Sequence, residues 1–422
     1  MSEGLSSVDV LARLLRKPPR RDTFAGWQHF RTTRHDFVPA PRITIDQWRT
    51  MSPSDRAFHD MHRTATHVNL PLQETPMSLK VSRLVNRRIN NNTWKQTSPT
   101  LSGVMVNGLG YHGKTETICE VTAAFEDRWL ALNDRVNPSA RPGSRDLHAP
   151  VAYVQTPVTA KPKSTCEAIL NFFGAPTKGL TLPQLVKTVA DSLDDHGVRA
   201  LVLDDITRLR MHRLDDQDVL DLIRAFMSMN VTLILVGVDI PGSGLLREAV
   251  WDAKHRQWVM PPATRARNFG LEPTQTEHRF DLVDLDRFHY TTPQQIQAFT
   301  NHLAGIEDGL RLFRAEPGML TAGTMPEYLM RRTGGVVGLL ARLVEDGAQE
   351  AIDSGHERID ESLLDEIVLS LNDPTRDPAA GEIPVIDGLD SQPAPSRRRK
   401  GQRRPRNTVF DDTGPRAAGT GA

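Results

Sequence analysis

Only two cysteines, Cys119 and Cys166, occur in 422 residues, too few for a disulfide framework. The chain starts without a secretory leader, so a reducing, cytoplasmic setting is expected and a structural disulfide between the pair is not. Long apolar runs are also missing. The longest, VTLILVGV at Val231–Val238, has the length of a strand and falls short of the roughly 18–20 residues a membrane span requires. No membrane partner is expected. Net charge is absent as well: 52 basic residues stand against 52 acidic ones, which excludes a uniformly polybasic or polyacidic chain. There is no internal repeat.

The charge that is present is unevenly spread. Arg397–Arg406 reads RRRKGQRRPR and carries no acid, so the body before it is net acidic. Residues 372–422 are rich in Pro, Gly, Ser and Arg without apolar periodicity and are expected to form a disordered basic tail suited to a nucleic acid. At the other end, residues 1–78 carry Pro18-Pro19, Pro39 and Pro41 and read as an irregular arm or adaptor, with Arg16-Lys17 and Arg20-Arg21 as a second basic cluster. His59, His62 and His67 match no strong metal-ligand spacing.

Between these ends the pattern is regular. From Leu79, Val81, Leu84, Val85 and Ile89 fall on one helical side, and Lys80, Arg83 and Arg87 cluster on another that can meet an anion. Then the apolar runs GVMVN, VAYVQ, ALVLDD, VTLILVG and HRFDLVDL alternate with helical segments. This predicts an α/β domain over 79–290 with an open, parallel five-stranded sheet covered on both faces. Capping boxes at Ser164–Glu167, Thr181–Gln184 and Thr292–Gln295 predict helix starts. Residues 291–371 read as helices only, a small all-helical lid.

The stretch after the first strand, NGLGYHGKTE, fits G-x-x-x-x-G-K-[ST] in the strand-to-helix context that the pattern requires. Glycine permits a tight loop whose N–H groups converge on a phosphate at the start of a helix, where the helix dipole favours negative charge. Gly108, Leu109, Gly110, Tyr111, His112, Gly113, Lys114, Thr115 and Glu116 are therefore the candidate nucleotide loop. Lys114 is expected to reach the outer phosphates of ATP, and the Thr115 hydroxyl to ligate Mg²⁺. A second carboxylate is needed for the metal, and Asp204 at the end of a neighbouring parallel strand is the candidate, with Asp205 to orient or activate the attacking water. Phosphoryl transfer also draws on positive charge, often from an arginine of a neighbouring subunit. Arg279 is the candidate and Arg265 and Arg267 its rivals.

With Gly108–Thr115, Ala200–Asp205 and the stretch Arg332–Gly338 in this order, residues 80–371 resemble an AAA+ ATPase with Walker A and Walker B motifs. More narrowly, YVQTPVT, AILNFFGAP, VLDDITRL and TGGVVGLLARLVEDGAQEAIDSGHERID resemble the TniB/TnsC-like ATPases of bacterial transposons. The resemblance implies a nucleoid-associated homo-oligomer, ring or filament, that assembles on double-stranded DNA with ATP between subunits. It would mark target DNA and recruit or stimulate a transposase, with a target-selection adaptor as a further partner. On this analogy Lys80, Arg83, Arg87 and Arg88 contact backbone phosphates. Two departures stand out. The family has Asp-Glu where this chain has Asp204-Asp205, which implies slow hydrolysis, and the fourth strand offers no polar sensor side chain before Asp239. The alternatives are a STAND-like signalling or scaffold NTPase that switches without touching DNA, and a replication loader-like ATPase.

Overall fold

The computed structural model describes residues 6–96, 101–137, 148–158, 161–208, 217–241, 250–252, 257–259 and 279–369. The basic tail and the rival arginines Arg265 and Arg267 lie outside them. No helix among the described residues is long and apolar enough to cross a membrane.

The order of elements is α1 (Ser7–Leu14), α2 (Phe24–Thr33), α3 (Ile45–Thr50), α4 (Pro53–Val68), α5 (Pro76–Thr93), β1 (Gly103–Asn107), α6 (Lys114–Val136), β2 (Val151–Gln155), α7 (Pro162–Phe172) and α8 (Leu182–Asp195). It continues with β3 (Ala200–Asp204), α9 (Gln217–Met227), β4 (Thr232–Gly237), β5 (Val250–Asp252), β6 (Gln257–Val259), β7 (Phe280–Asp284), α10 (Pro293–Gly309), α11 (Met325–Thr333), α12 (Val337–Asp353) and α13 (Glu361–Asp365).

The expected five strands form one sheet in the order β2-β3-β4-β1-β7. Every pairing within it is parallel. Residues of β1, β3 and β4 are buried throughout, which is why their sequences are unbroken apolar runs instead of alternating ones. The edge strand β7 is only partly covered, and Asp281 and Asp284 interrupt its apolar run. All five strands point their carboxyl ends the same way, so the loops after them gather at one rim. A separate antiparallel hairpin, β5 with β6, was not expected.

Three expectations need correcting. Of the stretch 1–78, the described residues from 6 onward are not irregular: α1 to α4 lie there, each started by a Ser or Thr N-cap. They stay hidden in the sequence because their stability is tertiary. Trp27 of α2 is fully buried in the sheet's own core, and the buried positions of α4 are His59, His62, Arg63, Thr66 and His67, so its core face carries no apolar stripe. Second, α7 begins at Pro162, with Ser164 bonding back to Lys161, so the box expected at Ser164–Glu167 does not start the helix. Third, α5 starts at Pro76 behind a Thr75 cap, earlier than Leu79.

The helical region keeps a core of its own around Phe299, Leu303, Leu329, Leu340 and Leu364. The N-terminal helices touch both bodies. Arg31 and Arg34 of α2 bond Asp127 of α6, each at 2.6 Å. On the side of the helical region, Arg63 of α4 donates to Glu357 and, at 2.7 Å, to the Arg311 carbonyl. Arg63 is wholly buried, and Asp60 on its own helix is a second carboxylate for it at 2.9 Å, so the buried guanidinium is paired on both sides. The three histidines serve this packing. His62 Nε2 donates to the Val38 carbonyl at 2.9 Å, His67 Nε2 accepts the Arg311 N–H at 2.9 Å, and His59 stacks on Phe313. Cys119 and Cys166 are unpaired buried thiols, and burial pushes each up to about 12.

Candidate active site

The nucleotide loop joins the carboxyl end of β1 to the first turn of α6. Gly113 is its N-cap at φ 81°, a left-handed conformation that suits glycine. Gly108 is needed for a different reason. A Cβ there would lie 2.7 Å from the Leu285 carbonyl oxygen, so the loop packs too closely on the chain after β7 for any side chain. Above Gly110 and Gly113 the space is open, with nothing within 4 Å of a notional Cβ. Tyr111 also takes positive φ, 62°, a strain on the order of 1 kcal/mol, and its carbonyl accepts the Gly338 N–H of α12 at 2.8 Å. Leu109 and Tyr111 stand exposed at the rim, whereas His112 is buried and donates from Nδ1 to the Leu285 carbonyl at 2.9 Å.

Lys114 points into the loop and donates from Nζ to the Leu109 carbonyl at 2.6 Å. Burial holds its ammonium below the usual lysine pKa, and the carboxylates of Asp204 and Asp205 act the other way. The first-turn N–H groups of α6 have no partners within the helix, as at any helix start. An ammonium turned onto a backbone carbonyl, open space over two glycines and a row of first-turn N–H groups fit a polyphosphate.

Thr115 Oγ1 donates to Asp204 Oδ2 at 2.7 Å. A hydroxyl and a carboxylate, both hard oxygen donors, meet there, which fits Mg²⁺. The strand carrying Asp204 is not the neighbour of β1, contrary to expectation, because β4 lies between them. Thr115, at the head of α6, nevertheless reaches the Asp204 carboxylate beyond β4. Asp204 is buried. Tyr153 of β2 donates its phenol to the same Oδ2 at 2.8 Å, and the Asp205 N–H donates to Oδ1 at 2.8 Å.

Asp205 follows at φ 55°, with its carboxylate 2.8 Å from Arg208 and 3.2 Å from Gln155 Nε2. Beside β4, Asn107 at the end of β1 donates to Asp284 at 2.7 Å and accepts the Ile240 N–H at 2.9 Å. Glu116 faces outward and holds Arg21 at 2.8 Å. Arg279 is exposed at the opposite, amino-terminal end of β7, where its carbonyl accepts the Gly103 N–H, so it does not approach this chain's own loop. Lys80, Arg83 and Arg87 are exposed on α5, but Arg88 is engaged with Asp281. The residues that sequence reasoning missed are Tyr153, Gln155 and Arg208. Of these Tyr153 left a signal, as a polar-tipped aromatic in the middle of the strand VAYVQ.

Residues 105–240 match the family model described as AAA domain. The match begins inside β1 and ends just past β4, and so spans both the loop and Asp204. The five-stranded parallel sheet with its helices is the P-loop fold of the AAA+ ATPases, and the match supports ATPase activity. No curated protein matches the chain. Among solved structures, the ORC1 protein of Aeropyrum pernix in complex with DNA is similar over 72% of this chain and 68% of its own, at 16% identity and a TM-score of 0.49. AMPPCP-bound DnaA from Aquifex aeolicus is similar over 69% of this chain and 65% of its own, at 13% identity and a TM-score of 0.34. A RuvB variant from Thermotoga maritima is similar over 68% of this chain and 67% of its own, at 15% identity and a TM-score of 0.34.

Proposed function

We propose that this chain is an ATP-hydrolysing, oligomeric regulator of transposition that binds double-stranded DNA, marks the target and recruits or activates a transposase. The observation that carries the catalytic half is the Thr115 hydroxyl on the Asp204 carboxylate at the mouth of the nucleotide loop. In this reading Lys114 binds the outer phosphates, Thr115 and Asp204 hold Mg²⁺, and Asp205 orients water once nucleotide is bound. The metal supplies charge neutralisation at the phosphates. Arg279, exposed and remote from its own loop, is assigned to the loop of a neighbouring subunit.

The DNA half is supported by one face of α5. Lys80, Arg83 and Arg87 are spaced three and four residues apart, so they share that face, and none has a carboxylate within 4 Å among the described residues. Val81, Val85 and Ile89 anchor the helix from behind. Such a face suits phosphate contacts that position without reading bases. The transposition assignment itself rests on the sequence resemblance of the strand, helix and lid segments. A nucleotide switch without DNA is the second reading, favoured by the Arg208 pair that occupies Asp205.

Electrophoretic shift with double-stranded DNA separates the two. ATP-dependent binding that weakens with salt, and weakens again in the triple variant Lys80→Ala, Arg83→Ala, Arg87→Ala, is the expected result. Binding that is absent with and without ATP would remove the transposition reading.

A further inference from the structure

We propose that Tyr153 is a positioning residue for the Asp204 carboxylate, held in place by Trp27 of the N-terminal region. The inference rests on the reading of Asp204 as a magnesium carboxylate.

The geometry follows from strand register. β2 and β3 pair in parallel with Tyr153 opposite Val202 and Gln155 opposite Asp204, so Tyr153 lies on the same face of the sheet as Asp204, two residues before it. A phenol is long enough to cover that distance along the strand, and it ends at Asp204 Oδ2, 2.8 Å away. Asp204 is thereby held at both oxygens: Oδ2 by the Tyr153 and Thr115 hydroxyls, Oδ1 by the Asp205 N–H at 2.8 Å. Thr115 is the hydroxyl assigned to the metal, so Tyr153 is the side-chain donor left to hold Oδ2. Burial, then the neighbouring Cys119 and Asp204, pushes the phenol above its ordinary pKa, and it remains a donor.

Tyr153 is itself clamped. The Trp27 ring stacks on it with centroids 5.7 Å apart and planes 13° apart. Trp27 Nε1 donates to Glu126 Oε2 at 2.5 Å, and Gln28 Nε2 donates to Glu126 Oε1 at 2.9 Å. Trp27 and Glu126 are fully buried and Tyr153 nearly so. A continuous line of contacts thus runs from α2 through Glu126, Trp27 and Tyr153 to Asp204. A residue that only fills the core would not need its hydroxyl aimed at this carboxylate.

Tyr153→Phe removes the hydroxyl and keeps the ring and its stack. In the full-length protein, ATP affinity in EDTA is expected to stay at the wild-type value. Mn²⁺ affinity of the protein bound to a non-hydrolysable ATP analogue, read from the EPR signal of free Mn²⁺, is expected to fall about tenfold, as for other partners that orient a metal ligand. The Mg²⁺ concentration for half-maximal turnover should rise by a similar factor. Asp204→Asn is the reference. If it loses Mn²⁺ affinity and Tyr153→Phe does not, the positioning role is overturned with the site reading intact. If neither loses it, both fall.

Discussion

The backbone N–H of Gly338 donates to the Tyr111 carbonyl at 2.8 Å, tying the first turn of α12 to the nucleotide loop. A Cβ at position 338 would lie 2.7 Å from that oxygen and 3.0 Å from the Tyr111 Cβ. Both atoms are fixed by backbone, so α12 and the loop would have to part. Gly338→Ala is expected to weaken ATP binding by roughly tenfold through this overpacking, measured by calorimetry with a non-hydrolysable analogue. Wild-type affinity would mean that the contact is not kept when nucleotide is bound.

Lys114→Ala tests the loop directly. The ammonium now rests on the Leu109 carbonyl at 2.6 Å, inside the loop. Removing a charge-assisted interaction with phosphate costs on the order of 3 kcal/mol, roughly a hundredfold in affinity. Fluorescent ATP titration should therefore show no saturable binding at micromolar concentrations. Undiminished binding would relocate the nucleotide.

How much of this could be read beforehand follows from the kind of signal each part carries. Buried parallel strands are apolar runs, so the strands of the sheet were visible, and the spacing of the loop marked it because backbone geometry demands glycine at 108 and 113 while phosphate and metal call for a lysine and a hydroxyl. Strand order was not visible, since nothing local in LVLDD or LILVG says that β4 sits between β1 and β3. Nor were α1 to α4. Their buried side chains include His62 and Arg63, which composition reads as solvent-facing but which are satisfied by Val38, Arg311 and Glu357 far along the chain. The same holds for Arg88, which looked like a free cation until Asp281 was folded against it.

Asp205→Asn is a clean substitution because Asn tolerates the left-handed backbone that Asp205 adopts at φ 55°. It removes the charge facing Arg208 and keeps the backbone N–H on Asp204, the Thr115–Asp204 bond and the Lys114 contact with the Leu109 carbonyl. ATP affinity should hold while turnover falls about a hundredfold, the usual worth of a positioned base. A phosphate-release assay under saturating ATP reads the difference. Equal turnover would place the water-orienting group elsewhere.

Glu126 gives a prediction in pH. It is fully buried, and burial raises its pKa from the ordinary 4.5 to about 7 against the pull of Trp27, Arg31 and Gln28. Between those two values the folded protein keeps a proton that the unfolded chain has released. Its contribution to stability is therefore complete below about pH 4.5 and lost as pH rises through about 7. The span corresponds to about 3 kcal/mol. Glu126→Gln cannot titrate but still offers Trp27 Nε1 an oxygen, so the variant should gain on the wild type by about 2–3 kcal/mol between pH 5 and pH 8. Urea unfolding of both proteins across that range isolates the effect, because every other titrating group is common to the two and cancels in the difference. A difference that stays flat with pH would put Glu126 at an ordinary carboxyl pKa and remove the buried ionisation as a feature of the α2 contact.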